Sequence, residues 1–311
     1  MRVTANSFPN LLIGELHTLA GRQNRYQTQA ATGQRIAAPE DDPAAVQRVL
    51  DLQSEQTGLA QFRKNIALLR EKAGASFEVM RGLKKISDRV GEIATLADGT
   101  RSPQELRIYA TEVTQLIRQA VQFANGKHRG DHLFGGTRAD QPPFAATFDA
   151  DGNATSVAYQ GNTDIAETQI AEGTFMAVQS PGANTTGSGG PGLLADSRTG
   201  ADFFAHMISL QNHLLAGDTA GIAADDRAAL ALDEENLILQ MSTNGATQAR
   251  LEAAESFAGS RAESVERLVS QEADADLAET LVRLSATQTA YQAALQSGAT
   301  IMSRSLLDFL R

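Results

Sequence analysis

From Leu59 onward, apolar and small residues keep one alternating spacing of three and four: Leu59, Phe62, Ile66, Leu69, Ala73, Ser76, Met80, Leu83, Ser87, Val90, Ala94 and Ala97. Phe77, Ile86 and Ile93 widen the stripe. A seam held over this many heptads belongs to a helix that packs lengthwise on other helices. Extended back to Pro43, the helix measures about 80 Å at 1.5 Å per residue. A compact globule of this length is only roughly 50 Å across. The expected molecule is therefore an elongated rod.

How the helix starts is written just upstream, in the stretch ATGQRIAAPEDDPAAVQ from Ala31 to Gln47. Three carboxylates, Glu40, Asp41 and Asp42, stand between Pro39 and Pro43. Such a cluster can bind metal or move protons. It can also open a helix, because Pro43 suits the first helical position and an acid before it accepts the free N–H groups of the first turn. Gly33, Arg35, Asp41, Asp42 and Pro43 are read here as a helix-start motif.

Asp98-Gly99 ends this helix, and Ser102-Pro103-Gln104-Glu105 has the form of a capping box with proline at the first position. Leu106, Tyr109, Val113, Leu116, Ala120 and Phe123 give the next helix its apolar stripe. After Pro142-Pro143 the pattern changes to short runs between turn residues. Phe144–Phe148, Val157–Tyr159, Ile165–Ile170 and Phe175–Val178 predict a four-strand meander. Gly182–Gly192, with the sequence GANTTGSGGPG, reads as a flexible loop. Helical spacing returns at Ala201 with Phe203, Met207, Leu210 and Leu214. It continues over Ala228–Met241 and then from Ala246 to the C-terminus.

The two chain ends carry the strips that matter most for function. Leu277, Leu281, Leu284, Gln288, Tyr291, Leu295, Gly298, Met302, Ser305 and Phe309 form a strict seam. Phe8, Leu12, Leu16, Leu19 and Tyr26 form a looser one. The predicted fold is mainly α with a small β insert. It is a rod of long antiparallel, coiled-coil-like helices drawn from both chain halves, plus an outlying all-β domain. Residues 1–42 and 270–311 are expected to form an inner core, 43–138 and 200–269 a middle helical rod, and 139–199 the outer β domain. A two-helix hairpin cannot fully cover such seams, so the ends are expected to be disordered in the free chain and to order only when neighbours cover them. Phe8, Leu12, Leu16, Leu19, Leu277, Leu281, Leu284, Tyr291, Leu295, Met302 and Phe309 are the candidate assembly interface.

Other chemistries find little support. A net charge of −10 disfavours nucleic acid. The absence of cysteine excludes disulfides and thiolate sites. No run approaches the length that spans a bilayer, the N-terminus lacks a secretory apolar core, and the ends lack the basic face of a membrane-surface helix. His128 and His132 flank two glycines rather than a helix, and His206 and His213 stand two turns apart. Neither pair carries the glutamate of a zinc helix, and solvated histidines are the better reading. Arg129-Gly130-Asp131 is read as a chance tripeptide. The glycine-rich loop lacks the Gly-Lys-Ser/Thr of a phosphate loop, and no nucleophile elbow occurs. No enzyme activity, cofactor or metal is expected.

The assembled residues resemble the flagellin superfamily of bacterial flagella. Ala31-Thr32-Gly33-Gln34-Arg35-Ile36 with Asp41-Asp42-Pro43-Ala44 is similar to its N-terminal motif, and Ser305-Leu306-Leu307-Asp308-Phe309-Leu310-Arg311 to its C-terminus. Three further elements are similar to the members that join hook to filament: Met1-Arg2-Val3-Thr4, Leu133-Phe134-Gly135-Gly136-Thr137 leading to Pro142-Pro143-Phe144, and Tyr159-Gln160-Gly161. The resemblance implies an extracellular structural subunit, exported without a cleaved signal peptide. It also implies partners: copies of itself in a ring, a neighbouring junction protein, flagellin, and an export chaperone on the C-terminal helix. The alternatives are a short flagellin that forms the filament itself and a histidine-based metal-binding protein.

Overall fold

The protein is described by a computed structural model over residues 7–36 and 38–309, with side chains over 10–36 and 38–300. These residues divide into two compact units, one made from the chain up to Ala60 and from Ser260 onward, the other from Gln61–Gly259.

In the first unit α1 (Ser7–Thr32) runs antiparallel to α7 (Leu277–Phe309). Leu12 touches Gly298 near one end, and Ala275 N donates to Gly33 O (2.8 Å) at the other. The face that α7 turns to α1 is small and polar. Thr280, Thr287 and Gly298 are buried there, with Leu284, Tyr291 and Ala294 half-buried. A Cβ on Gly298 would lie 2.4 Å from Leu12 Cδ2, so glycine allows the helices their close approach. Parts of α2 (Pro43–Leu96) and α6 (Arg227–Ala273) complete the unit. They are joined by bidentate pairs, Arg261 to Glu55 (2.6 and 3.0 Å) and Arg48 to Glu272 (3.1 and 2.9 Å).

The second unit holds the large core. From Ile66 to Ala97 every predicted seam position of α2 is buried, and Phe62 is half-buried. The capping box of α3 (Pro103–Ala124) is complete: Ser102 N donates to Glu105 Oε2 (2.8 Å) and Glu105 N to Ser102 Oγ (3.3 Å). The buried line of α3 is Leu106, Ala110, Val113, Ile117, Ala120 and Ala124. Tyr109, Leu116 and Phe123 flank it, so the predicted stripe is slightly rotated. Met80, Leu83, Ile93, Ile117, Phe203, Met207 and Leu210 fill one cluster, each such side chain contributing about 1.5–3 kcal/mol by leaving water. Within this unit α2 and α6 are antiparallel, with Lys84 on Glu234 (3.0 Å), Arg70 on Glu255, and Arg227 Nε on Ala94 O (3.0 Å).

Helix boundaries differ from expectation in two places. After α4 (Phe203–Ala216), the single turn α5 (Thr219–Gly221) and a π-helical turn (Ile222–Asp226) lead into α6, which runs unbroken through Ser242–Gly245. Ser242 and Thr243 hydroxyls donate back to Ile238 O (2.8 Å) and Leu239 O (2.9 Å), and buried Asn244 accepts from Gln248 (2.6 Å). Residues that read as a turn thus satisfy themselves along the helix. The chain breaks instead at Asp274–Asp276, where Asp276 Oδ1 accepts from Ala278 N (2.9 Å) and Glu279 N (3.1 Å) and caps α7.

The β segments are more fragmented than a meander. β1 (Lys127–His128) and β2 (Asp131–His132) form a tight hairpin with Arg129 (φ 52) and Gly130 (φ 98) at its tip. β3 (Phe144–Phe148) pairs with β4 (Ala154–Tyr159), and β5 (Thr168–Ala171) with β6 (Thr174–Met176), as two separate hairpins. The chain after Tyr159 turns back, with Asn162 N donating to Gly135 O (3.2 Å), and this return parts the two hairpins. β7 (Ala183–Asn184), β8 (Ala195–Asp196) and β9 (Ala201–Asp202) form a third small sheet.

The glycine-rich segment is organised, not merely flexible. Asn184 is fully buried; its Nδ2 donates to Ser188 O (2.8 Å) and Gly190 O (2.7 Å), and its Oδ1 accepts from Gly187 N (3.0 Å).

Candidate functional site: an assembly interface

The helix-start motif lies in the first unit, where the α1–α2 link meets the α6–α7 link. Asp42 Oδ1 accepts from Ala45 N (3.0 Å) and caps α2, which begins at Pro43. That bond holds the Asp42 carboxyl below its usual range, helped by Arg35. Asp41 accepts from Ala38 N (3.1 Å) and closes the preceding turn. Gly33 N donates to Gln29 O (2.8 Å) at the end of α1.

Arg35 reaches across to the other link. Its Nε and Nη2 donate to Glu272 O (3.2 and 2.8 Å), and its backbone N donates to Ala273 O (2.7 Å). A cation is thereby set on the negative end of α6, where it favours the exposed carbonyls. Gln29 Nε2 holds Arg35 O (2.7 Å), and Gln34 bridges Asp274. Arg48 keeps the Glu272 carboxyl ionised well below its usual range. The sequence placed Arg35 in this motif but did not reveal Glu272 as its partner, since 237 residues separate them.

The candidate interface residues take two positions. Leu12, Leu16 and Leu19 are half-buried toward α7, and Leu284 and Tyr291 are half-buried toward α1. Leu277, Leu281 and Leu295 face away, at 49%, 56% and 46% exposure, with Val282 at 70% beside them. The leucine seam of α7 is thus not what holds α1; the Thr-Thr-Gly face does that. The side chains of Phe8, Met302 and Phe309 lie outside the described residues.

In the second unit the LFGG and YQG elements touch. Tyr159 Oη donates to Phe134 O and stands 2.9 Å from Asn162 O as well, and Gly182 N donates to Phe134 O (2.8 Å). Burial raises the Tyr159 phenol above its usual range. Gly136 has φ 67, and a Cβ there would lie 2.2 Å from Asn162 Oδ1, so only glycine fits. Gln211 of α4 is fully buried. It accepts from Thr114 (2.8 Å) and pairs with both backbone groups of Ala154 (3.1 Å each), pinning β4 to the helices. These contacts clamp the insert where it leaves and re-enters the helical chain.

Three histidines are paired where solvated ones were expected. His206 Nδ1 meets Asp233 (2.8 Å) and His213 Nδ1 meets Asp226 (2.7 Å), both carboxylates being buried. Ser209 donates to Asp226 as well (2.7 Å). The aspartates hold both imidazoles above their usual value. Burial raises the Asp233 carboxyl above its usual range. His132 is buried with Nδ1 on Asn125 O (2.8 Å). Among the described residues no group of three or more His, Asp or Glu is placed to hold a metal ion. The Asp-His pairs answer to a helix spacing of seven in each partner, a signal the sequence carried without a register to align it.

Long helices from both chain ends pair in the first unit and leave an apolar strip of α7 uncovered. Residues 18–139 match the family model of the bacterial flagellin N-terminal helical region. The fold is that of flagellar hook-associated proteins. It is similar to one described as such from Vibrio parahaemolyticus, at 18% identity and TM-score 0.62, over 75% of this chain and 100% of that one. It is also similar to FlgL of Xanthomonas campestris, at 17% identity and TM-score 0.56 over 69% and 98%, and to FlgL of Bacillus cereus, at 17% and 0.54 over 71% and 99%. No curated protein matches the sequence. No helix among the described residues is long and apolar enough to cross a membrane.

Proposed function

We propose that this chain is a structural subunit of the bacterial flagellum, forming the adaptor ring that joins hook to filament. The observation that carries this reading is the uncovered strip of Leu277, Leu281 and Leu295 on α7. A solvated row of leucines on a helix whose other face is already occupied is a surface awaiting a neighbour. The flagellin-type region at 18–139 and the hook-associated fold support placing that neighbour in the flagellar axis.

In this reading residues 1–42 and 270–311 form the inner core of the ring, with Phe8, Leu12, Leu16, Leu19, Leu284, Tyr291, Met302 and Phe309 completing its packing. Residues 43–138 and 200–269 are the middle layer, and 139–199 face outward. The neighbours are copies of the chain, a second junction protein and flagellin. The subunit works outside the cell and does no chemistry. It travels there through the flagellar export channel, and a chaperone covers the C-terminal helix until then.

Leu295→Asp is expected to abolish ring assembly and filament growth while the second unit keeps its native circular dichroism and melting. Normal filaments on the variant, or a melted second unit, would count against the reading. The flagellin-type match favours a second reading, a short flagellin. Long filaments grown from the purified chain alone would decide for it.

A further inference from the structure

The first unit carries two grooves of opposite character, each holding charges with no partner among the described residues. One runs between α1 and α7 and is lined by Arg22, Arg25, Tyr26, Asp276, Glu279 and Arg283. Arg283 is paired with Glu279, and Asp276 is taken up as the cap of α7. Arg22 and Arg25 make no hydrogen bond or ion pair among the described residues. The other groove lies along α6 beside α2 and is lined by Glu263, Glu266, Arg267 and Asp274. Asp274 accepts from Ser270 (2.6 Å), while Glu263 and Glu266 make no ion pair among the described residues and outnumber the neighbouring Arg267.

This is not the habit of the unit. Arg35, Arg48, Arg261 and Arg283 each find a carboxylate within it. Of the charges that lack such a pair, two are cations three residues apart on one helix, Arg22 and Arg25, and two are anions three residues apart on another, Glu263 and Glu266. Residues at that spacing share a helix face with about 5–6 Å between their Cβ atoms, so the sets can meet side by side. Within one copy they remain apart. Copies of a chain with net charge −10 repel unless opposite patches are turned together.

We propose that the Arg22–Arg25 groove of one copy receives the Glu263–Glu266 edge of the next. The contact rests on the ring reading above and specifies it: different surfaces meet head to tail, the arrangement that closes into rings when its rotation allows. Leu277 and Leu281 stand on α7 beside the basic groove, so the uncovered apolar strip continues the same seam. Exposed charges of this kind set register and orientation, and the leucines supply adhesion.

The test uses two full-length variants, Arg22→Glu with Arg25→Glu, and Glu263→Arg with Glu266→Arg, followed by sedimentation velocity over a range of concentrations. Wild type is expected to self-associate, and each variant alone to do so at least tenfold more weakly, roughly the loss of two modest charge contacts. An equimolar mixture of the two is expected to recover wild-type association, because the reversed groove of one fits the reversed edge of the other. Recovery on mixing cannot come from a misfolded variant. Variants that associate like wild type, or a mixture that stays apart, overturn the contact and leave the ring reading standing. A wild-type chain that remains monomeric at every concentration overturns the ring reading itself. Loss of flagellin binding with self-association intact would assign the groove to another axial protein and overturn the contact.

Discussion

His206 and His213 make the protein's stability depend on pH near neutrality. Both imidazoles are held above their ordinary value by Asp233 and Asp226, so the folded state binds more protons than the unfolded one. The stabilisation is complete below the unfolded value of about 6.5 and is lost as pH rises through the higher folded values. The second unit is expected to melt at progressively lower temperature as pH is raised from 6 toward 9. In His213→Ala that slope should flatten, and the loss at pH 6 should be about 1–3 kcal/mol, the range for leaving a buried partner unsatisfied. A melting temperature flat across that window would contradict the account. Asp196 behaves in the opposite sense. Arg198 holds its buried carboxyl at about 2, so its contribution is present above the usual carboxylate range and fades only as pH falls toward about 2. The sequence displayed all these residues, but a histidine and an aspartate on separate helices become a pair only when packing sets the register. Reading the histidines as solvated was the natural error.

At the scale of elements, the long α2 was legible because a period of three and four repeated so often that no strand could share it. The capping box of α3 was equally plain, since Ser102, Pro103 and Glu105 act within one turn. What escaped lay where a residue type allows two local readings, or where a tertiary contact decides. Ser242–Gly245 looks like a turn but stays helical, and Asp276 looks like one acid among many but starts α7. The insert shows the same division: its strands were visible, yet the return of Tyr159 and Asn162 onto Gly135 and Gly136 was not. Gln211 illustrates how much one such contact holds. Gln211→Leu is expected to cost about 2–3 kcal/mol, because both backbone groups of Ala154 lose their partner in a dry site, while Thr114 keeps its bond to Ala110 O. Hydrogen exchange should locate the loss in β3 and β4. Uniform loosening of the whole unit would argue that Gln211 serves the core at large.

For the whole molecule, the contrast lies in what each unit buries. Gln29 is the one buried side chain among those described in α1, and Thr280, Thr287 and Gly298 are the buried ones in α7. The second unit instead closes over Phe134, Phe203, Ile66, Met80 and many more. Free-energy differences of this kind appear directly as local opening. In the isolated chain, amides of α1 and α7 are expected to exchange well before those of 61–259, and to become protected once copies assemble. Equal protection in the free chain would mean that the end helices need no neighbour. The end seams were readable as apolar strips. That α7 grips α1 by its threonines and glycine, and leaves its leucines outward, needed coordinates.

The Arg35 crossing also has a mechanical meaning. A pull along α1 passes to α7 along their packed faces and into α2 through the covalent link. Arg35 donating twice to Glu272 O, Gln34 bridging Asp274, and Ala275 N on Gly33 O tie that link sideways to the end of α6. These ties sit close together and are strained in concert, so tension entering at α1 divides between two long helices instead of peeling one from its partner. Such a joint shares the load.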